Sequence, residues 1–411
     1  MLVLVSAAAL GGAIRPRYGG VLRVEMRDWT SSLDPAEADA SPARERLSAL
    51  AFDSLGRLDG RGAPQPSLAV AWERDARHWR FRLRSGVRFH DGTPLTAPLV
   101  ATALESLGAG VAGDVVLVPA GRPIADVARR PVVRRVADGS LTGTGPFRVT
   151  QWEAGRRAVF AAFDEYWGGR PFLDTIEVAM GRSTRDQFVD LELDKADVVE
   201  LGAAESRRAR RTWTSPPVEL IAVVFASPGT RVREALALAL DRASMHGVLL
   251  QKQGVVSGGL LPQWLSGYAH LFPVAQDLES ARAMRAAQPL QLAFDPLDTL
   301  ARSIAQRIAV NAREAGIVVR SPATGTPDAR LARVRIASTE ASAALAEIAA
   351  ALDLPAPAAA TSAEALYAAE RVLLGEHRVI PLFHLPQTFG LSPRVRNWSW
   401  ALDEVWLAPQ P

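Results

Sequence analysis

The chain of 411 residues contains no cysteine. That one absence excludes disulfide cross-links, thiolate metal sites and cysteine nucleophiles together. Lysine is nearly as scarce, since among 47 basic residues only Lys195 and Lys252 are lysine. The arginines alternate with apolar residues instead of gathering into a face that would hold nucleic acid, so no nucleic-acid partner is expected. Arg207-Arg208-Ala209-Arg210-Arg211 is the exception, and a solvated face or linker accounts for it. Chemistry-bearing patterns are also missing: there is no G-x-S-x-G elbow, phosphate-binding Walker loop, H-E-x-x-H or paired-histidine spacing. The six histidines, His78, His90, His246, His270, His377 and His384, are dispersed. No catalytic residue, metal site or cofactor is therefore expected, and an enzyme is not.

What is present is globular. Apolar residues make up 48% and charged residues 22%, the net charge is +3, and the length implies two or three domains. Long hydrophobic runs are absent apart from Met1–Ala13, MLVLVSAAALGGA, too short to span a bilayer and followed by Arg15 and Arg17. It is similar to the apolar and small-residue parts of a secretory signal, without the charged start, which points to export. Gly108-Ala109-Gly110-Val111-Ala112-Gly113 formally matches a dinucleotide loop. Helical spacing precedes it and strand-like Val115–Val118 follows, the reverse of what phosphate binding needs, so a loop is expected.

The chain is organised around Trp79–Leu107. Trp79-Arg80-Phe81-Arg82-Leu83-Arg84 alternates with period two, which predicts a strand burying Trp79, Phe81 and Leu83. Asp91-Gly92 marks a tight turn. Thr96 is placed to cap a helix whose buried stripe is Leu99, Val100, Ala103, Leu104 and Leu107. Elsewhere, Val21–Met26 alternates as a strand, Arg44–Leu58 has helical spacing, and Leu220–Phe225 is a continuous apolar strand covered on both faces. Leu290–Phe294, Ala301–Ala315 and Gly316–Val319 read as a parallel strand–helix–strand unit.

The wording RLRSGVRFHDGTPLTAPLVATALESL resembles a signature of the family 5 extracellular solute-binding proteins of ABC importers, the oligopeptide, dipeptide and nickel group. Arg84, Gly86, Val87, Phe89, His90, Asp91, Gly92, Pro94, Thr96 and Ala97 carry the match. Further segments resemble the same family in order: Leu33-Asp34-Pro35, Gly143-Thr144-Gly145-Pro146-Phe147, Asp164–Asp174 with its Tyr166-Trp167-Gly168-Gly169, and Arg233–Arg242 ending in Asp241-Arg242. The many tryptophans and tyrosines of these segments suit core anchors better than ligand contacts.

The resemblance implies an α/β, type II periplasmic-binding-protein-like fold of two lobes, with an extra subdomain on the first lobe and a ligand cleft between lobes. The implied division is a signal-like segment 1–17, a first lobe 18–213 including a subdomain at about 40–140, a second lobe 214–390, and a return to the first lobe over 391–411. It implies a monomer in the periplasm or another extracytoplasmic space, capturing a peptide or other small solute by hinge closure for an ABC permease in the membrane. A sensor or protein-interaction module on the same fold is the alternative. By position, Arg27, Trp29, Thr30, Phe225, Trp264, Glu340 and His384 become ligand-binding candidates; Trp29 equally suits a packed loop aromatic. One departure bears on the cargo. Peptide-binding members carry a W..DYpDP stretch whose aspartate pairs with the ligand amine, whereas the region Arg333–Ser342 here has no such motif and only Glu340 as a substitute. Peptide cargo therefore does not follow from the resemblance, and the shortened alanine-rich tract up to Ala360 leaves transport itself an open expectation.

Overall fold

The computed structural model describes residues 15–409 except 38–41, 59–63, 122–123, 227–228, 285–288, 296–297, 321–326, 337, 339, 361, 400–401 and 403. The signal-like residues 1–14 lie outside the described part. A mixed sheet, eleven strands among the described residues, runs through the molecule. In spatial order its main path is Phe147–Glu153, Arg157–Ala162, Thr175–Ala179, Val21–Glu25, Val198–Leu201, Val379–Leu391, Thr212–Phe225, Ala329–Arg335, Leu290–Ala293 and Val319–Arg320.

The period-two reading of the first strand holds: Leu22 and Val24 are buried, with Met26 just beyond the strand, and they share a core with Phe147, Phe160, Ile176, Val178 and Phe389. Leu220–Phe225 shows why a strand buried on both faces is continuously apolar. Ile221, Val223 and Phe225 enter one core with the Thr230–Ala239 and Thr299–Glu314 helices, whereas Leu220, Ala222 and Val224 enter a second with the Ala341–Ala351 and Ala363–Leu374 helices. A separate core formed by Leu55, Phe81, Phe89, Val100, Val116 and Val118 holds the four-stranded sheet built on Ala69–Arg74 and His78–Leu83.

Thr212–Phe225 and Val379–Leu391 pair antiparallel along nearly their whole length, from Thr212 opposite Gly390 to Val224 opposite Val379. The register shifts around Thr214, Pro217 and Glu219, where Pro216, Pro217 and Pro386 supply no N–H to the ladder. Val379–Leu391 is also paired with Val198–Leu201, so a single strand joins the sheet's two halves.

Two family-like segments meet at one buried carboxylate, and a third, through His90, is tied to one of them. Asp53 accepts hydrogen bonds from Trp167 Nε1 at 2.7 Å and from the Thr144 hydroxyl at 3.2 Å. His90 bonds the Gly145 carbonyl at 2.9 Å through Nε2. A Cβ on Gly143 would stand 2.1 Å from the Ala51 carbonyl oxygen, so the glycine is required by close approach. Asp241 caps the Arg242–Val248 helix by accepting from Ser244 N at 2.8 Å, and buried Arg242 donates to the Pro381 carbonyl at 3.0 Å. Burial pulls the Arg242 guanidinium down to about 10.

Local expectations needed correction at boundaries. Thr96 precedes its helix in extended conformation but makes no side-chain cap, and Pro98 in the first turn starts the helix instead. That helix stops at Ala103, with buried Leu104 capping it and buried Leu107 on the following 3₁₀ turn Glu105–Leu107. The helix expected to reach Leu58 ends at Ala51, because Gly56–Leu58 pairs as a strand with Pro64–Pro66.

Candidate functional site

Two adjoining spaces, about 360 and 260 Å³, open where the strand ends of the two sheet halves face one another. Arg27, Glu219, Asp298 and Arg333 line both. Each comes from a different element: Arg27 follows the first strand, Glu219 sits on Thr212–Phe225, Asp298 caps the Thr299–Glu314 helix, and Arg333 lies on Ala329–Arg335.

These four belong to a ring that closes through the Arg27 main-chain N–H, Glu200, Arg46 and Gln387. Arg333 Nε donates to Glu219 Oε2 at 2.8 Å, and its Nη1 to Asp298 Oδ2 at 3.1 Å. Asp298 Oδ2 also lies 3.9 Å from Arg27 Nη1, while its other oxygen accepts the first helical N–H groups. The Arg27 backbone N–H donates to Glu200 Oε2 at 2.9 Å, and Arg46 Nη1 donates to Glu200 Oε1 at 2.8 Å. Arg46 Nη2 then reaches Gln387 Oε1 at 2.6 Å, and Gln387 Nε2 returns to Glu219 Oε1 at 2.9 Å. The circuit thus ties the first-strand side of the cleft to the Ala329–Arg335 side.

Charge follows from this wiring. Burial alone would raise the carboxyls of Glu219 and Asp298, but the arginines and hydrogen bonds around them hold both below the ordinary range. Burial would lower Arg333, and the facing carboxylates overcome that and raise it. Asp28, with Arg27 at 3.8 Å, is pushed up by burial and by the Glu200 charge. Arg335 stands outside the ring: its Nε and Nη1 are buried without a hydrogen-bond partner, and burial together with the Arg46 charge lowers its pKa.

Of the seven sequence candidates, Arg27 alone is among the residues lining these spaces. Trp29 is 57% exposed, and its ring lies where a Cβ on Gly155 would touch it at 3.4 Å. Thr30 is buried and its hydroxyl donates to the Ser32 carbonyl. Phe225 lies in the core against the Thr230–Ala239 helix. The Trp264 indole is exposed and donates to Pro217 O at 2.7 Å, beside the interrupted ladder. Glu340 caps the Ala341–Ala351 helix, both carboxylate oxygens accepting backbone N–H groups, so it is engaged locally. His384 is buried, bonded to the Leu260 carbonyl at 2.9 Å, and burial pulls it down to about 4.

Sequence reasoning missed Arg46, Glu200, Glu219, Asp298, Arg333, Arg335 and Gln387. A signal existed for some of them. Glu219 and Glu200 interrupt or end apolar strands, and Ala332-Arg333-Val334-Arg335-Ile336 alternates so that both arginines leave one face while Val334 and Ile336 pack into the core. Among the described residues, no group of three or more acidic or histidine side chains could hold a metal ion, and no helix is long and apolar enough to cross a membrane.

A sheet shared by two halves, with a charged cleft between strand ends, is the architecture of type II periplasmic binding proteins. Two solved structures display the same fold. The oligopeptide-binding protein AppA from Bacillus subtilis, solved with a nonapeptide, superposes with a TM-score of 0.79 at 15% identity, covering 96% of this chain and 100% of that one. AgaA with agropinic acid, from Agrobacterium strain R10 ("A.tumefacien R10"), gives 0.80 at 16% identity, covering 95% and 99%. Residues 63–109 and 134–321 match the model of the bacterial extracellular solute-binding proteins, family 5 (middle region), and the chain belongs to that family. Protein XP55 of Streptomyces lividans is 29% identical over 256 residues, 51% of this chain and 47% of XP55. The chain thus matches less than half the length of the curated relatives it resembles.

Proposed function

We propose that this protein is an extracytoplasmic solute-binding protein, not an enzyme, which captures a small solute between its lobes and delivers it to an ABC permease as a monomer. The observation that carries the reading is the ring Arg27–Asp298–Arg333–Glu219–Gln387–Arg46–Glu200. It joins groups from both sides of a cleft without supplying a positioned nucleophile, so its chemistry is recognition and closure. The lobes are 18–213 and 214–390, with 391–411 returning to the first. The interrupted ladder between Thr212–Phe225 and Val379–Leu391 is the hinge. Family membership supports the transport role, and relatives that hold a nonapeptide or agropinic acid bracket the size of cargo.

Native mass spectrometry of the gently purified mature chain tests this, followed by thermal-shift screening of whatever small molecule it releases. Ligand at a hundred times its Kd adds about 2.7 kcal/mol to stability, a readable shift in melting point. An empty chain that no peptide, chelate or small-acid pool stabilises would refute capture.

A further inference from the structure

The subdomain with its own core, around Phe81, Phe89 and Val116, carries a side chain that reaches well beyond it. Arg129 follows the short Ile124–Ala128 helix, and its Nη1 donates to Glu347 Oε1 at 2.5 Å, 218 residues further along the chain. Glu347 stands on the Ala341–Ala351 helix, which covers the other half of the large sheet. Neither residue lines the 360 or the 260 Å³ space, so the pair bridges the molecule without touching what the cleft encloses. Each partner is held in place before they meet. Val127 and Val132, flanking Arg129, are buried in the subdomain core, the Val132 N–H donates to the Asp53 carbonyl at 2.8 Å, and Pro131 bridges to Ser54. Opposite, Ala344, Leu345, Ile348 and Ala349 fix the helix in its own core, and Glu347 Oε2 accepts from Ser338 N at 3.3 Å. Little backbone ordering is therefore left for the contact to impose.

Building on the lobe division and hinge proposed above, we infer that Arg129 and Glu347 form a clasp by which the subdomain holds the lobes closed before cargo arrives. The two residues lie on opposite sides of the interrupted ladder, and a hydrogen bond of this length does not survive a hinge opening of a few ångströms. The side chains are 38% and 25% exposed, so water screens the pair and the clasp biases the closed form by about two- to fivefold, in addition to the cleft ring. A cargo that binds the closed form gains affinity by up to the same factor, although the clasp never meets it.

Pulsed electron-spin distance measurement on the empty full chain tests the inference. The sequence has no cysteine, so Ser85→Cys on the subdomain and Val372→Cys on the Ala363–Leu374 helix, both exposed, carry the only labels. Arg129→Glu and Glu347→Arg should each raise the ratio of the longer to the shorter distance at least twofold, and the double swap Arg129→Glu/Glu347→Arg should bring it back towards wild type. Raising the salt to about 1 M should lengthen the wild-type distribution and leave Arg129→Gln unmoved, because that variant has no charge pair to screen. The salt comparison decides alone if a reversed variant fails to fold. Distances indifferent to the reversals and to salt overturn the clasp, and so does a swap that stays as open as the single variants. The measurement contains no cargo, so a failed clasp leaves solute capture standing; capture falls only if native mass spectrometry and the ligand screen find nothing bound.

Discussion

Replacing Glu219 by glutamine tests whether the cleft ring stabilises the folded chain. Glu219 is 6% exposed and accepts from Arg333 and Gln387, so the variant keeps shape and one acceptor but leaves Arg333 with Asp298 alone. Breaking a fully buried ion pair costs about 3–5 kcal/mol. Here the Arg333 side chain keeps 28% of its exposure, so water recovers part of the loss and the expected cost is about 2–3 kcal/mol. For a lobe of this size that lowers the melting point by about 4–12 °C. The sign with pH is fixed by the depressed pKa. Glu219 contributes its stability fully above the ordinary value of 4.5 and loses it as pH falls through its lower folded value. The deficit of Glu219→Gln should therefore be complete at pH 7 and shrink towards zero in acid. Urea unfolding at pH 7 and pH 3, with the double variant Glu219→Gln/Arg333→Gln closing a cycle, reads it. A deficit below about 0.5 kcal/mol at pH 7, or one equal at both pH values, would refute the reasoning.

Other substitutions follow from the same contacts. Asp53→Ala orphans the Trp167 indole N–H and the Thr144 hydroxyl and should cost about 2–3 kcal/mol in urea unfolding, whereas Asp53→Asn should cost less, because burial already pushes this carboxyl up. Gly143→Ala drives a Cβ against the Ala51 carbonyl and should cost more than about 3 kcal/mol or abolish soluble expression. His384, pulled from 6.5 down to about 4 by burial, favours folding when neutral. Stability should thus be full above 6.5 and fall as pH drops towards 4, a slope worth about 2–4 kcal/mol that His384→Gln should flatten.

The fold was legible where the sequence repeats a local rule. Period two predicted the burial of Leu22 and Val24 on their strand, and the unbroken run Leu220–Phe225 predicted two covering layers, each confirmed by the cores those side chains enter. Family-like wording at Gly143–Gly145 and Tyr166–Gly169 located a structural junction, whose buried partner, Asp53, lies far off in sequence. The cleft was largely illegible for a related reason. Glu200, Glu219, Arg333 and Gln387 sit on four strands that only the sheet order brings together, and charged residues inside strands look like ordinary solvent-facing positions until a second lobe stands opposite. His384 and Phe225 misled because a polar or aromatic residue on a central strand reads as a site when no core has yet been built around it.

The placement of Val379–Leu391 between Val198–Leu201 and Thr212–Phe225 sets the order in which this chain can mature. Val379–Leu391 follows every other strand of this sheet in chain order, so neither half of the sheet can be completed before it is made. Pairings of such wide sequence separation form slowly. A nascent chain ending before Val379 leaves the short Val198–Leu201 edge and the long Thr212–Phe225 edge without their shared partner, a state that invites chaperone custody until the central strand has been made.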